Sequence, residues 1–261
     1  MAQLKNSPKE SGASNSRVGP APERAARLWS LFFVSPGIIL STLLHGAVSN
    51  ILSVFDGTGR TQLKVARAWS RSLLWIVGVK VEAEGLERLQ PGVPYVMVAN
   101  HLSYMDTPVL LCNLPVEFRF LAKKGLFQIP FLGWHLHRAG HIPVPLGDPR
   151  ASVKTLAKSA AMIRRRGISL MIFPEGGRSM DGELQPFIDG AAYLAIKAQV
   201  PIVPIALIGV REILAMGSGT FHRGLVRIRV GEPISTEGML SHDRGKLTET
   251  ARTRIAELLR G

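Results

Sequence analysis

The sequence predicts an α/β fold: a layered, mostly parallel sheet flanked by helices, with an N-terminal membrane-associated helical segment. Three observations carry that expectation. Short, strand-length apolar runs recur after residue 80. Stretches of helical spacing separate them, the pattern expected of buried parallel sheets. Before them, residues 28–55 contain no fixed charge.

At 261 residues the chain suits one α/β domain with a full core better than two domains. Lys and Arg number 32 against 19 Asp and Glu, a net charge of +13. That balance favours anionic partners: a membrane surface, a phosphorylated substrate, an acidic carrier protein or nucleic acid. General solubility is the plainer account of the same charge. The single cysteine, Cys112, excludes an intramolecular disulfide and a thiolate metal cluster. It ends the apolar run Val109-Leu110-Leu111-Cys112, where a buried, inert thiol is expected.

Residues 1–27 are rich in Ser, Pro, Ala and basic side chains, and read as a disordered, basic, cytoplasmic tail. The 28 positions from Leu28 to Phe55 exceed the roughly 20 apolar residues that span a bilayer. A signal peptide has a shorter apolar core and a small-residue cleavage site. Pro36-Gly37 is expected to kink or break the helix, leaving a tilted span or a bent helix in one leaflet. A buried helix of a soluble protein is the competing account. Residues 61–79 mix Trp69, Leu73, Leu74, Ile76 and Val77 with Lys64, Arg67 and Arg71. That composition fits either an interfacial amphipathic helix or a surface helix packed on the domain. Residues 28–79 are therefore taken as one membrane-associated region and 80–261 as the catalytic domain.

Within 80–261, strands are expected at 80–84, 95–99, 118–122, 168–173, 202–208 and 225–230. Helices are expected at 150–166, 191–199 and about 241–260. Arg164-Arg165-Arg166 closes the first of these helices. It invites a nucleic-acid reading, but basic residues beside the negative end of a helix dipole are the simpler account. Near a bilayer they could also meet headgroups.

Two segments carry chemistry. Asn100-His101-Leu102-Ser103-Tyr104-Met105-Asp106 directly follows a buried strand, where α/β folds place their sites. Asp106 precedes Thr107-Pro108 and an apolar run, so it also suits a helix N-cap. Five residues on a regular helix turn about 500°, a net 140°, so the two side chains would not share a helical face. His101 is thus expected in the turn and Asp106 at the helix start. One ring nitrogen of His101 would accept a proton from a substrate hydroxyl while Asp106 holds the other. Ser103 lies in no nucleophile elbow and is discounted as a nucleophile. Asn100 is expected to order the turn.

The second segment is Phe173-Pro174-Glu175-Gly176-Gly177-Arg178-Ser179, also at a strand exit. Its glycines permit a tight loop and close ligand approach. Arg178 can hold a phosphate through two parallel hydrogen bonds. Glu175 is expected to accept from a glycerol hydroxyl or to orient Arg178, and a purely structural Glu–Arg pair is the alternative.

With both segments in view, the chain resembles the 1-acylglycerol-3-phosphate acyltransferases, within the wider glycerolipid acyltransferases. Four ordered motifs carry the resemblance: residues 100–106, Lys123-Lys124-Gly125-Leu126-Phe127 continuing to Gly140-His141-Ile142, residues 173–179, and Val200-Pro201-Ile202-Val203-Pro204-Ile205-Ala206. They lie within residues 64–235, the bulk of the folded chain. Two positions depart from the family pattern. Gly177 stands where Thr is usual, and Leu146 where a basic residue is usual, which leaves Arg150, Lys123 or Lys124 to share a phosphate.

The resemblance implies direct acyl transfer from acyl-CoA or acyl carrier protein to a lysophospholipid hydroxyl, with no metal and no cofactor. It implies His101 and Asp106 as catalytic, and Glu175, Gly176, Arg178, Lys123 and Lys124 as substrate-binding. Asn100, Ser179 and Pro204 are supporting residues, the last in a block implied to line the acyl channel. The expected partners are the bilayer, the lysolipid and the acyl donor, with no nucleic acid. A bacterial inner membrane with a cytoplasmic catalytic domain is the expected location. Other acceptors, such as lyso-ornithine lipid or glycerol 3-phosphate, and a non-catalytic anionic-lipid-binding protein are the alternatives.

Overall fold

A computed structural model describes residues 23–145 and 147–261. The tail expected over 1–27 therefore lies mostly outside the described residues, as does Leu146.

Helical structure begins at Glu23, so residues 23–27, expected in the tail, are helical instead. The run consists of α1 (Glu23–Trp29), a π-type turn (Ser30–Val34) and α2 (Ser35–Leu52). Pro36 does not break it. The wider turn ahead of Pro36 absorbs the missing N–H, and the proline sits in the first turn of α2, where that donor is least needed. Glu23–Leu52 is long and apolar enough to cross a membrane. Leu31, Phe32, Phe33, Ile39, Leu40, Leu43 and Leu44 are exposed along it, so it is not the buried helix of a soluble core.

Helix α3 (Arg60–Val77) folds back on α2, where Trp69 Nε1 donates to Thr42 Oγ1 at 3.0 Å. Its other face belongs to the domain. Leu63, Ala66, Leu74 and Val77 join the main core, and Arg67 donates to the carbonyls of Leu111, Leu114 and Val116. Of the two accounts given for this segment, packing on the domain is seen: apolar residues at helical spacing dock it on the sheet layer while it also contacts α2.

The remaining elements are β1 (Val79–Glu84), β2 (Val96–Ala99), α4 (Asp106–Asn113), β3 (Phe118–Lys123), α5 (Leu132–Arg138), β4 (Ile142–Val144), α6 (Pro149–Arg166), β5 (Ser169–Ile172), α7 (Gly190–Ala198), β6 (Ile202–Ile208), α8 (Val210–Ile213), β7 (Gly224–Val230) and α9 (Arg244–Arg260). The strands form one seven-stranded sheet in the order β1-β7-β6-β2-β5-β3-β4. Every pairing is parallel except β6 with β7.

Alternation along the central strands builds two cores. Met97, Ala99, Met171, Val203 and Ile205 face α3 and α4, whereas Val96, Val98, Leu170 and Ile202 face α6, α7 and α9. Burial on both faces explains why β2 and β6 read as unbroken apolar runs. The short α5, β4 and α8 have too little periodicity to be expected from sequence. Strands β2, β5 and β3 end on the same sheet edge, and that edge carries both sequence motifs.

Candidate active site

Asn100 leaves β2 and takes the place of a further ladder residue. Its Nδ2 donates to the Leu207 carbonyl at 2.9 Å and its Oδ1 accepts from the Leu207 N–H at 2.7 Å. The expected turn-ordering residue thus pins the strand exit to β6. His101 follows, and the chain turns into α4.

Asp106 is the first residue of α4, and Met105 occupies the cap position. The N-cap role is corrected, because the carboxylate points back at the turn. Its Oδ2 accepts from His101 Nδ1 at 2.6 Å, from the Leu102 N–H at 2.8 Å and from the Ser103 N–H at 2.9 Å. With Nδ1 as donor, Nε2 presents its lone pair. No hydrogen bond to Nε2 is present among the described residues. Ser103 is buried, its hydroxyl donating to the Leu214 carbonyl at 2.8 Å, which removes it as a nucleophile.

The second motif leaves β5, the strand beside β2, one step beyond the Val98↔Ile172 pair. The Phe173 ring stacks on His101 with centroids 3.8 Å apart and 10° between planes. The loop then grips the backbone of His101 from both sides. Glu175 Oε1 accepts the His101 N–H at 2.7 Å, and the Ser179 N–H donates to the His101 carbonyl at 2.9 Å. Glu175 Oε2 accepts the Gln185 N–H at 3.0 Å. Burial pushes the Glu175 carboxyl above its ordinary pKa, against the pull of these two N–H groups.

The expected Glu175–Arg178 pair is absent among the described residues. Long-range backbone donors captured the carboxylate instead. Arg178 lies over the Tyr104 ring, 3.9 Å from its centroid, with Nε 3.4 Å from the Ser103 carbonyl. Its Nη atoms form no hydrogen bond or ion pair among the described residues. Ser179 is buried and supports the loop, donating to Asp181 Oδ1 at 2.7 Å. Gly176 sits at φ 75°, a conformation that glycine adopts freely, whereas Gly177 does not.

Lys123 ends β3 and Lys124 opens the following turn, so both sit on the edge shared with His101. Both are exposed and form no ion pair among the described residues. Arg150 is exposed in the first turn of α6. Pro204 is not part of an open channel. It is buried within β6 beside Val98, and its carbonyl accepts the Gly231 N–H at 2.8 Å. In the second block, His141 is fully structural: Nδ1 accepts the Phe120 N–H at 2.9 Å, and burial drives the ring's pKa down to about 3. Cys112 is half-buried, and burial raises its thiol pKa, so it stays protonated and inert.

Three contributors were not expected from sequence. Phe173 orients the histidine ring, Gln185 fixes Glu175, and Tyr104 forms the platform for Arg178. Only the β2–β5 register juxtaposes the first with His101, so no local signal could reveal it.

The arrangement holds an imidazole whose Nε2 has no hydrogen-bond partner among the described residues, a buried carboxylate on its Nδ1, and a guanidinium on the Tyr104 ring of the same turn. Comparisons with known proteins agree with that chemistry. Residues 80–208 match the family model described as Acyltransferase. The 1-acyl-sn-glycerol-3-phosphate acyltransferase of Saccharomyces cerevisiae is 31% identical over 219 residues, 83% of this chain and 72% of that protein. A chloroplastic 1-acyl-sn-glycerol-3-phosphate acyltransferase of Brassica napus is 36% identical over 195 residues, 74% of this chain. The chain spans about half the length of the chloroplastic relatives it matches, 54% and 52%. The crystal structure of the 1-acyl-sn-glycerophosphate acyltransferase of Thermotoga maritima superposes with a TM-score of 0.71, covering 90% of this chain and 95% of that one. At 24% identity that likeness is one of fold.

Proposed function

This chain belongs to the family of 1-acyl-sn-glycerol-3-phosphate acyltransferases, and from that premise we propose that it acylates the free hydroxyl of 1-acylglycerol 3-phosphate to give phosphatidic acid. The observation that carries the reading is the 2.6 Å contact of His101 Nδ1 with Asp106 Oδ2, which leaves Nε2 as a base.

In the proposed reaction Nε2 takes the proton of the acceptor hydroxyl as its oxygen attacks the thioester carbonyl. Asp106 stabilises the imidazolium that forms, as in a serine-hydrolase triad with the substrate alcohol in place of serine. The C–S bond of the tetrahedral intermediate then breaks, and the imidazolium returns its proton to the departing sulfur. The donor is acyl-CoA or acyl carrier protein. Neither a metal nor a further cofactor enters this scheme. Arg178, with Lys123 and Lys124 on the same edge, binds the phosphate of the acceptor. Glu175 acts on the acceptor indirectly, by holding the backbone of His101.

The exposed apolar face of Glu23–Leu52 supports placement at a membrane, where acceptor and product reside. We place the protein at a bacterial inner membrane with its catalytic domain in the cytoplasm. Leu146, at a position where the family resemblance implies a basic residue, favours a second reading in which another lysolipid is the acceptor.

The test is acyl transfer by detergent-purified protein, with acyl-CoA or acyl carrier protein as donor and a panel of lysolipids as acceptors. Turnover on lysophosphatidic acid is expected. His101→Ala should lower it by about 10²–10⁴-fold while the protein stays folded. Near-wild-type activity in that variant would rule out the base. Turnover only on an acceptor without a phosphomonoester would reassign the substrate.

A further inference from the structure

A groove of about 920 Å³ opens between the N-terminal helix and the start of the sheet, apart from the catalytic residues. Trp29 and Phe33 form one wall, and Trp75 and Ile76 of α3 form the other. Lys80 and Arg223 also line it. Both cations are exposed, and neither forms an ion pair among the described residues. The Arg223 guanidinium lies 4.8 Å above the Trp29 ring, a cation–π contact that keeps it over the groove. Gly78 makes room for that pose, since a Cβ there would sit 2.9 Å from Arg223 Cγ.

We infer that this groove binds an anionic diacyl phospholipid of the surrounding bilayer, its phosphate on Lys80 and Arg223 and its acyl chains along Trp75, Phe33 and Ile76. Charge complementarity selects the headgroup: two cations that form no ion pair among the described residues meet an apolar trough, the layout of a phospholipid turned on its side. Position supports the same occupant. Trp75 is 83% exposed, Gly37 of α2 also lines the groove, and Ile39, Leu40, Leu43 and Leu44 farther along α2 are exposed. Tryptophan beside cations is the side-chain set of the headgroup boundary. Because β7 runs antiparallel to β6, the first residues of β7 and β1 lie on the sheet edge that carries His101. One edge of the domain therefore faces the membrane with both sites.

The groove is not the acceptor site. Strand β1 is three strands away from β2, which at the usual spacing is about 14 Å. None of His101, Asp106, Glu175 and Arg178 lines the groove, whereas the phosphate and the reactive hydroxyl of a lysophosphatidic acid are only a few bonds apart.

The inference rests on the membrane placement proposed above, not on acyl transfer. The test uses full-length protein in non-ionic micelles titrated with brominated lipids, whose bromines quench nearby tryptophan. Brominated phosphatidylglycerol should half-quench at a lower mole fraction than brominated phosphatidylcholine. Each headgroup cation near an anionic lipid contributes about fivefold, so Lys80→Gln with Arg223→Gln should shift the phosphatidylglycerol midpoint by roughly 30-fold. Arg223→Lys should recover part of it. Arg165→Gln with Arg260→Gln, both on exposed helix ends at the opposite sheet edge, should leave it unchanged. Equal quenching by both lipids, or an equal shift in the control pair, would overturn the headgroup site and leave membrane placement intact. Quenching by neither lipid would overturn both. A matching rise in KM for lysophosphatidic acid in the Lys80/Arg223 variant would return the groove to the acceptor. Failure of the acyl-transfer reading alone would leave the quenching result unaffected.

Discussion

The imidazole of His101 lies flat on the Phe173 ring, 3.8 Å between centroids, and Phe173 itself stacks at 6.1 Å on Phe120. The exits of β2 and β5, backed by Phe120 within the neighbouring β3, thus fix the plane of the proposed base. Asp106 holds Nδ1 in place, and the stack prevents the ring from rotating about that contact. A side chain that only orients the base should act on the chemical step. Phe173→Ala is expected to lower kcat by about 10²-fold, the order associated with a displacement near 1 Å, with little change in KM. Phe173→Tyr, which keeps the ring, should retain most activity. A rise in KM at unchanged kcat would assign Phe173 to substrate binding instead.

Asp106 separates orientation from charge. Its Oδ2 serves three donors, while Oδ1 is buried without a partner among the described residues. Asp106→Asn can present its carbonyl to all three donors, but it loses the negative charge behind the imidazolium and buries an amide NH2 where Oδ1 has no partner among the described residues. It should melt somewhat below wild type, stay folded, and lose activity by about 10²-fold or more. Asp106→Ala strands three buried donors at about 1–3 kcal/mol each, so it should also melt much earlier. Similar melting temperatures for the two variants would mean that the turn does not depend on this carboxylate.

Glu175 yields a pH prediction. Burial raises its pKa in the folded protein, with the Asp106 charge adding to the effect, above that of the unfolded chain. Between the two values the folded state binds the additional proton, so this group's contribution to stability falls as pH rises. The contribution is fully present below the ordinary carboxylate pKa and is lost through the raised folded value. Glu175→Gln does not titrate and serves as the reference. Denaturant melts of both proteins from acidic to neutral pH should show the wild-type advantage shrinking on going up. An advantage that grows with pH would mean that the two backbone hydrogen bonds outweigh burial.

The loop glycines differ in what they tolerate. A Cβ on Gly177 meets nothing within 4 Å, so the threonine usual at this place in the family should be accepted with little change in stability. At Gly176 a side chain would need φ 75° and would meet Ile188 Cδ1 at 3.0 Å. Gly176→Ala should destabilise by about 1–2 kcal/mol. Thermal melts of the two variants compare them directly.

Legibility followed the range of the interaction. A histidine after an apolar strand and an aspartate at a helix start are local features, and the strand–helix alternation gave the sheet. Asn100 looked like a turn residue, but its partner is Leu207, 107 positions away. Glu175 and Arg178, three residues apart, looked like a pair, yet the backbone of His101 lay closer in space than Arg178 did. Phe173 read as the last apolar residue of a strand. Its role depends on β2 and β5 being neighbours, which residue order does not disclose. Helix α3 stayed open between two accounts for another reason: a basic face beside an apolar one suits a membrane interface and a domain surface equally, and burial alone separates the two.

In the proposed reaction Arg178 sets the substrate choice. Its guanidinium is supported from below by Tyr104 and touches the Ser103 carbonyl only at 3.4 Å, which leaves its fork for an anion. Arg178→Ala should reduce kcat/KM for lysophosphatidic acid by about 10- to 100-fold, the scale of a charge-assisted hydrogen bond. Arg178→Lys should fall between, because lysine keeps the charge but neither the fork nor the flat stack. Tyr104→Leu should raise KM by only about two- to fivefold, the size of a cation–π contact at a half-exposed site. The comparison needs a lysolipid without a phosphomonoester, because Ser103 belongs to the turn that carries His101. A loss shared equally by both acceptors would mean that removing Arg178 had displaced the base, whereas a loss confined to lysophosphatidic acid marks the guanidinium as the phosphate ligand.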